Sequence, residues 1–207
     1  MKDYGGRSNS IQDAYAYHGR GVAYANLGEY QRALEDYSRA IELDPKYASA
    51  YCNRGIAYAN LGEYQRALED YSRAIEHDPK YAYAYRNRGD AYANLGEYQR
   101  ALEDYSRAIE HDPKDAYAFR NRGIAYANLG EYQRALEDFS RAIELDPKYA
   151  STYYNRGVAY ADLGSTSAPW RTSAGRSLDP KDASGYLGSG AAHVRLGEYQ
   201  RALEDCS

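Results

Sequence analysis

Four asparagines stand one period apart, Asn53, Asn87, Asn121 and Asn155, each 34 residues beyond the last. A side-chain amide both donates and accepts hydrogen bonds, so a row of them suits the backbone of an extended peptide, whose N–H and C=O groups recur along its length. The same spacing also suits amides that cap or cross-link neighbouring helices, and residue type alone does not separate the two. Beside two of them stand Arg86 and Arg120, each three residues after a tyrosine, Tyr83 and Tyr117. A planar cation among aromatic rings suits a carboxylate or an acidic side chain; solvated surface arginines are the alternative. Catalysis is less well provided for. His77 and His111 are also one period apart, with no cysteine or second histidine at metal-ligand spacing, and read as helix-terminal residues. We find no nucleophile with a base and an orienting group, and no phosphate-cradling glycine loop, so no enzymatic activity, metal or cofactor is expected.

What carries these residues explains their spacing. The phrase NLGEYQRALEDYSRAIE, with small changes, begins at Asn26, Asn60, Asn94 and Asn128, and each copy ends in Asp-Pro-Lys, at Pro45, Pro79, Pro113 and Pro147. A fixed period of this size marks stacked repeats, in which neighbours bury together the apolar face that one unit cannot bury alone. From Ala48 to Tyr81 the spacings of Tyr51, Gly55 and Tyr58, and of Ala67, Tyr71 and Ala74, predict two amphipathic helices. Gly62 can take the left-handed turn that ends the first helix, and Asp78-Pro79 closes the second. Small Gly55, Ala67 and Ala74 allow close approach, and Tyr51, Tyr58 and Tyr71 fill the space between.

On Tyr51, Gly55, Tyr58, Tyr64, Ala67, Tyr71, Ala74 and Pro79 the unit resembles the tetratricopeptide repeat family. Full units begin at Ala14, Ala48, Ala82 and Ala116, with the first helix of a fifth from Ala150. The resemblance implies an all-α, right-handed superhelical solenoid of antiparallel helix pairs. Its first helices line a concave wall that grips extended peptides or partner helices. The expected organisation is a disordered leader over residues 1–13, the repeat array over 14–164, an irregular segment over 165–182 and a divergent, truncated sixth repeat over 183–207. In that sixth repeat Tyr186, Gly190, Tyr199 and Ala202 still fit.

The wall is read by elimination, as the face of each first helix that packing does not use. In the first unit it carries Tyr15, His18, Val22 and Asn26, and in the second Ser49, Cys52, Asn53, Ile56 and Asn60. The third brings Tyr83, Arg86, Asn87, Asp90 and Asn94, and the fourth Tyr117, Arg120, Asn121, Ile124 and Asn128, with Asn155 in the fifth. The asparagine row resembles a ladder with which some family members hold peptides without reading their sequence. Chaperone-binding members clamp a C-terminal carboxylate with a lysine and an asparagine on the first unit. His18 and Val22 stand in those places, and Tyr83 and Asn87 replace the later basic pair, so that function is not carried over.

One departure recurs in every unit. Arg20, Arg54, Arg88, Arg122 and Arg156 occupy a packing position that is usually aliphatic in the family. A bare buried charge is too costly, so we expect the stem to pack and the guanidinium to reach a carboxylate such as Asp36, Asp70, Asp104 or Asp138. A ligand-binding role is the alternative.

The segment STSAPWRTSAGRS, Ser165 to Ser177, breaks the pattern. Encoding the expected EYQRALEDFSRAIE with suitable synonymous codons and dropping the first nucleotide yields those residues without a mismatch. We read it as a twice-frameshifted second helix, and the lone Trp170 as an accident of frame. Pro169 and Gly175 also oppose a helix there.

Composition bounds the partners. Among 207 residues, 26 Lys+Arg face 30 Asp+Glu for a net charge of -4, which argues against nucleic acid. Cys52 and Cys206 are too few for a disulfide framework, MKDYGGRSNSIQD lacks a signal-peptide core, and no run spans a bilayer. We expect a soluble, cytoplasmic protein-binding scaffold without membrane contact, its ligand a protein or peptide. The alternative is a self-assembling protein that stacks through the open edge left by RALEDCS at the C-terminus.

Overall fold

The structure, a computed structural model, describes residues 4–166, with side chains over residues 10–164. Among the described residues there are nine α-helices and no strand. These are α1 (Tyr4–Asn26), α2 (Tyr30–Leu43), α3 (Ala48–Asn60), α4 (Tyr64–His77), α5 (Ala82–Asn94), α6 (Tyr98–His111), α7 (Ala116–Asn128), α8 (Tyr132–Leu145) and α9 (Ala150–Thr166). The chain divides into two compact units, Met1–Lys114 with α1–α6 and Asp115–Ser207 with α7–α9. Apart from Ser165 and Thr166, which continue α9, the segments read as frameshifted and as a truncated sixth repeat lie outside the described residues. So do Trp170 and the C-terminal edge expected to stack.

Sequence signals set the helix ends. The first helix of each pair stops at a glycine with positive φ: +77° at Gly28, +78° at Gly62, +76° at Gly96 and +77° at Gly130. After α3 the Glu63 N–H donates to the Tyr58 carbonyl at 2.9 Å and the Gly62 N–H to that of Ala59 at 3.0 Å. This satisfies carbonyls that a helix end would otherwise leave unpaired, and only glycine takes that φ without strain. The second helices end at Asp44, Asp78, Asp112 and Asp146, each of whose carboxylates accepts the N–H two residues on, at 3.1 to 3.2 Å. The proline between cannot continue the helix.

One first helix starts earlier than expected. Residues 4–13, read as a disordered leader, form the opening turns of α1. No proline interrupts them, and once residues 14–26 have nucleated a helix, each further residue adds a hydrogen bond without a new nucleation cost.

Within each pair a glycine meets a ring. In the first unit, a Cβ on Gly21, Gly55 or Gly89 would stand 2.7 Å from the ring of Tyr37, Tyr71 or Tyr105, and in the second unit Gly123 meets Phe139 in the same way. Those four rings are at most 2% exposed, and Ala33, Ala67, Ala101 and Ala135 beside them are fully buried. The small-against-large packing expected from the repeat is therefore present in all four complete pairs.

The recurrent arginines find the aspartates. Arg20, Arg54 and Arg88 in the first unit reach Asp36, Asp70 and Asp104 through two hydrogen bonds each, at 2.7 to 2.8 Å. Arg122 holds Asp138 likewise at 2.8 Å in the second unit. Arg54 and Arg88 also donate to Ser38 and Ser72 of the preceding pair at 3.1 Å, so one guanidinium joins three helices. Arg156 on α9 reaches Ser140 at 3.5 Å.

Candidate functional site

In the first unit the walls of α1, α3 and α5 hold a connected set of polar and aromatic groups. Asn53 Nδ2 lies 2.8 Å from His18 Nε2, and the Tyr47 hydroxyl lies 3.2 Å from His18 Nδ1. An amide nitrogen only donates, so Nε2 accepts and the ring proton sits on Nδ1, facing Tyr47. The His18 ring packs against Tyr47 and Tyr37, with centroids 4.9 and 5.7 Å away, and Tyr15 meets Tyr47 edge-on at 4.9 Å. Burial lowers the His18 pKa below its ordinary 6.5, favouring the neutral ring that this geometry requires.

Farther along, Arg86 lies 4.7 Å over the Tyr83 ring, and Asn87 donates to the Tyr83 carbonyl at 2.6 Å. Asp90 stands where the other walls carry Val22, Ile56, Ile124 and Val158, and it accepts a 2.7 Å hydrogen bond from the Tyr105 hydroxyl.

Several expected wall residues have other duties. Cys52 is 0% exposed, so it offers nothing to a ligand. The Tyr81 hydroxyl covers it, hydrogen-bonding with the thiol and with Ser49, and burial pushes the thiol pKa up to about 12. Asn60, Asn94 and Asn128 donate to the carbonyls of Ile56, Asp90 and Ile124, four residues back, at 2.8 to 2.9 Å. Each amide adds a second hydrogen bond to a carbonyl that the helix already pairs, which holds the side chain against its own helix. Tyr47, Tyr81 and Tyr149, just ahead of α3, α5 and α9, reach over the wall and had been missed. Their recurrence directly after Asp-Pro-Lys is the signal for them in the sequence.

In the second unit α7 and α9 present Tyr117, Arg120, Asn121 and Ile124 together with Ser151, Tyr154, Asn155 and Val158. Arg120 lies 4.7 Å from the Tyr149 ring centroid and 5.6 Å from that of Tyr117, and the two rings meet edge-on at 5.2 Å. Its Nε donates to Asn121 Oδ1 at 3.0 Å and its Nη1 to Ser151 Oγ at 3.3 Å. Asn155 is half-buried and makes no side-chain hydrogen bond among the described residues. His77 and His111 instead pack on Tyr51 and Tyr85, at 5.5 and 5.6 Å. Among the described residues no group of histidine, cysteine and carboxylate side chains is placed to hold a metal ion.

The repeat geometry has counterparts among known proteins. Family models described as TPR repeat and tetratricopeptide repeat match residues 21–62, 48–81, 86–150 and 120–168. The chain belongs to the tetratricopeptide repeat family. Its fold is similar to a crystal structure of MamA, at 22% identity and a TM-score of 0.71 over 94% of this chain and 92% of that one. It is also similar to YrrB, described as a TPR protein with an unusual peptide-binding site, at 26% identity and a TM-score of 0.64 over 96% of both chains. The first TPR domain of Spaghetti (RPAP3), bound to the HSP90 peptide SRMEEVD, matches at 28% identity and a TM-score of 0.57 over 58% of this chain and 95% of that one. No curated protein matches the chain in sequence. The tetratricopeptide fold thus accounts for α1–α9, and no described helix is long and apolar enough to cross a membrane.

Proposed function

We propose that the chain is a non-catalytic interaction scaffold that holds an extended protein segment against the walls of its first helices. The observation that carries this is the asparagine row. Asn53, Asn87, Asn121 and Asn155 occupy the same half-buried position on four successive first helices, away from the glycine–ring packing. An amide there can serve a peptide backbone without reading side chains, at about 0.5–1.5 kcal/mol per contact. YrrB and RPAP3, both described with peptides, support the reading by fold and by modest identity. A cytoplasmic setting is supported by Cys52, a free buried thiol.

The test is peptide selection against the full chain from a displayed library of random dodecapeptides, followed by calorimetric titration of the best binders. Replacing Asn53, Asn87, Asn121 and Asn155 together with alanine should weaken unrelated binders by similar factors, because backbone contacts carry no sequence information. Normal binding by a variant that melts early would make these amides structural and end the proposal.

A further inference from the structure

Arg120 is unlike the arginines that pack between helices. Arg20, Arg54, Arg88 and Arg122 each grip an aspartate, whereas every hydrogen-bond partner of Arg120 is neutral and no carboxylate lies within ion-pair distance among the described residues. The guanidinium is nonetheless half-buried and held. The rings of Tyr117 and Tyr149 pack on it and Asn121 and Ser151 engage Nε and Nη1, while Nη2 makes no hydrogen bond among the described residues. A partly desolvated, oriented cation that keeps donors in hand is complementary to an anion, and its fixed plane reduces the ordering entropy of binding.

The wall beside it is apolar. From Ser151, the partner of Nη1, the same face of α9 continues to Tyr154, 64% exposed, and Val158, 43% exposed. At a rise of about 1.5 Å per residue these lie about 4.5 and 10.5 Å farther along the helix. An extended peptide advances about 3.3 Å per residue and returns a side chain to the same face after two. An acid on Arg120 and an apolar side chain on Tyr154 or Val158 then come from residues no more than about three apart.

We propose that the second unit reads an internal acidic side chain followed or preceded, within three positions, by a bulky apolar one. This rests on the wall being a peptide site and adds the ligand class to it. The carboxylate is a side chain, because the cradle offers one cation flanked by rings and an apolar ridge that extends the contact past the acid.

The probe is the dodecapeptide library selected on the full chain at low and high salt. Enrichment of Asp or Glu paired with Leu, Ile or Phe at that spacing is expected, stronger at low salt. Arg120→Gln should weaken such a peptide about 10- to 100-fold, the range of a charge-assisted hydrogen bond. Arg120→Lys should weaken it less, and Tyr154→Ser with Val158→Ser should erase the apolar preference while the acidic one persists. Amidating the peptide's C-terminus should change nothing. Retained helical content and melting temperature confirm that each variant folds.

Binders that depend on Asn121 and Asn155 but lack acidic enrichment would overturn this inference and leave the peptide wall standing. Loss of binding on amidation would overturn it in favour of a terminal carboxylate. A particle mass that rises with concentration, and does so less in Val158→Ser, would assign the face to a second copy of this chain. A library without binders would remove both proposals.

Discussion

Removing Asp104 tests the tie at the centre of the helix pairs. Its carboxylate side chain is 7% exposed, and that of Arg88, which grips it at 2.7 and 2.8 Å, is 20% exposed. Deleting one member of a buried pair leaves an uncompensated charge and costs about 3–5 kcal/mol. Arg88 keeps some contact with water and the Ser72 hydroxyl as an acceptor at 3.1 Å, which places Asp104→Ala near the lower end, at about 3 kcal/mol. That is about a 100-fold shift in the local opening equilibrium. Urea unfolding followed by circular dichroism reads the total. Hydrogen exchange should place the loss in α5 and α6 and, through Ser72, in α4, since stability in a solenoid is a sum over neighbours. Two comparisons sharpen the result. Asp36→Ala should lose less, because its partner Arg20 is 59% exposed and water screens the charge left behind. Arg88→Leu combined with Asp104→Leu should recover most of the loss, because the charge and its desolvation are removed together. Equal losses in Asp104→Ala and Asp36→Ala, or a double variant as unstable as the single one, would refute the reasoning.

Gly89→Ala should destabilise the chain by about 1–3 kcal/mol in urea unfolding, because the new Cβ falls 2.7 Å from the buried Tyr105 ring. Pairing it with Tyr105→Leu should relieve part of that. Cys52, with its thiol pKa pushed up to about 12 by burial, should resist iodoacetamide at mildly alkaline pH until urea unfolds the first unit. Mass spectrometry of its peptide reads this. His18 in the unfolded chain takes a proton near pH 6.5, but the folded pKa is lower, so the unfolded state binds more protons and stability falls as pH drops below 6.5. Protonation would also set a donor at Nε2 against the Asn53 amide nitrogen, so His18→Gln should flatten the acid limb of a stability–pH curve.

Much of the fold was legible because the 34-residue period repeats every local signal. Gly62 as a helix stop, Asp78-Pro79 as a terminator and Gly55 against Tyr71 each follow from a residue and its neighbours in one unit. The Arg54–Asp70 pair was legible for the same reason, since a buried guanidinium demands a carboxylate. What Arg54 does beyond its own pair was not, because reaching Ser38 depends on how two pairs stack, which no single unit encodes. Cys52 shows the same limit. Helical periodicity puts it on the wall face, but Tyr81, from the link ahead of the next first helix, covers it. Asn60, Asn94 and Asn128 share the wall face by periodicity, but that their amides turn back onto carbonyls of their own helices depends on the rotamer, which spacing does not encode. The start of α1 was hidden because residues 4–13 carry neither the repeat nor a stop signal.

The peptide-wall proposal meets its most direct test in nuclear magnetic resonance of the side-chain amides in nitrogen-15-labelled full chain, titrated with a library-selected dodecapeptide. Asn53, Asn87, Asn121 and Asn155 should shift in step with saturation. Asn60, Asn94 and Asn128, exposed in the last turns of their helices and outside the half-buried row, should move little and serve as internal controls. Saturable binding that leaves the four wall amides in place and shifts resonances on the second helices, such as Gln31, Gln65 and Gln99, would contradict the account.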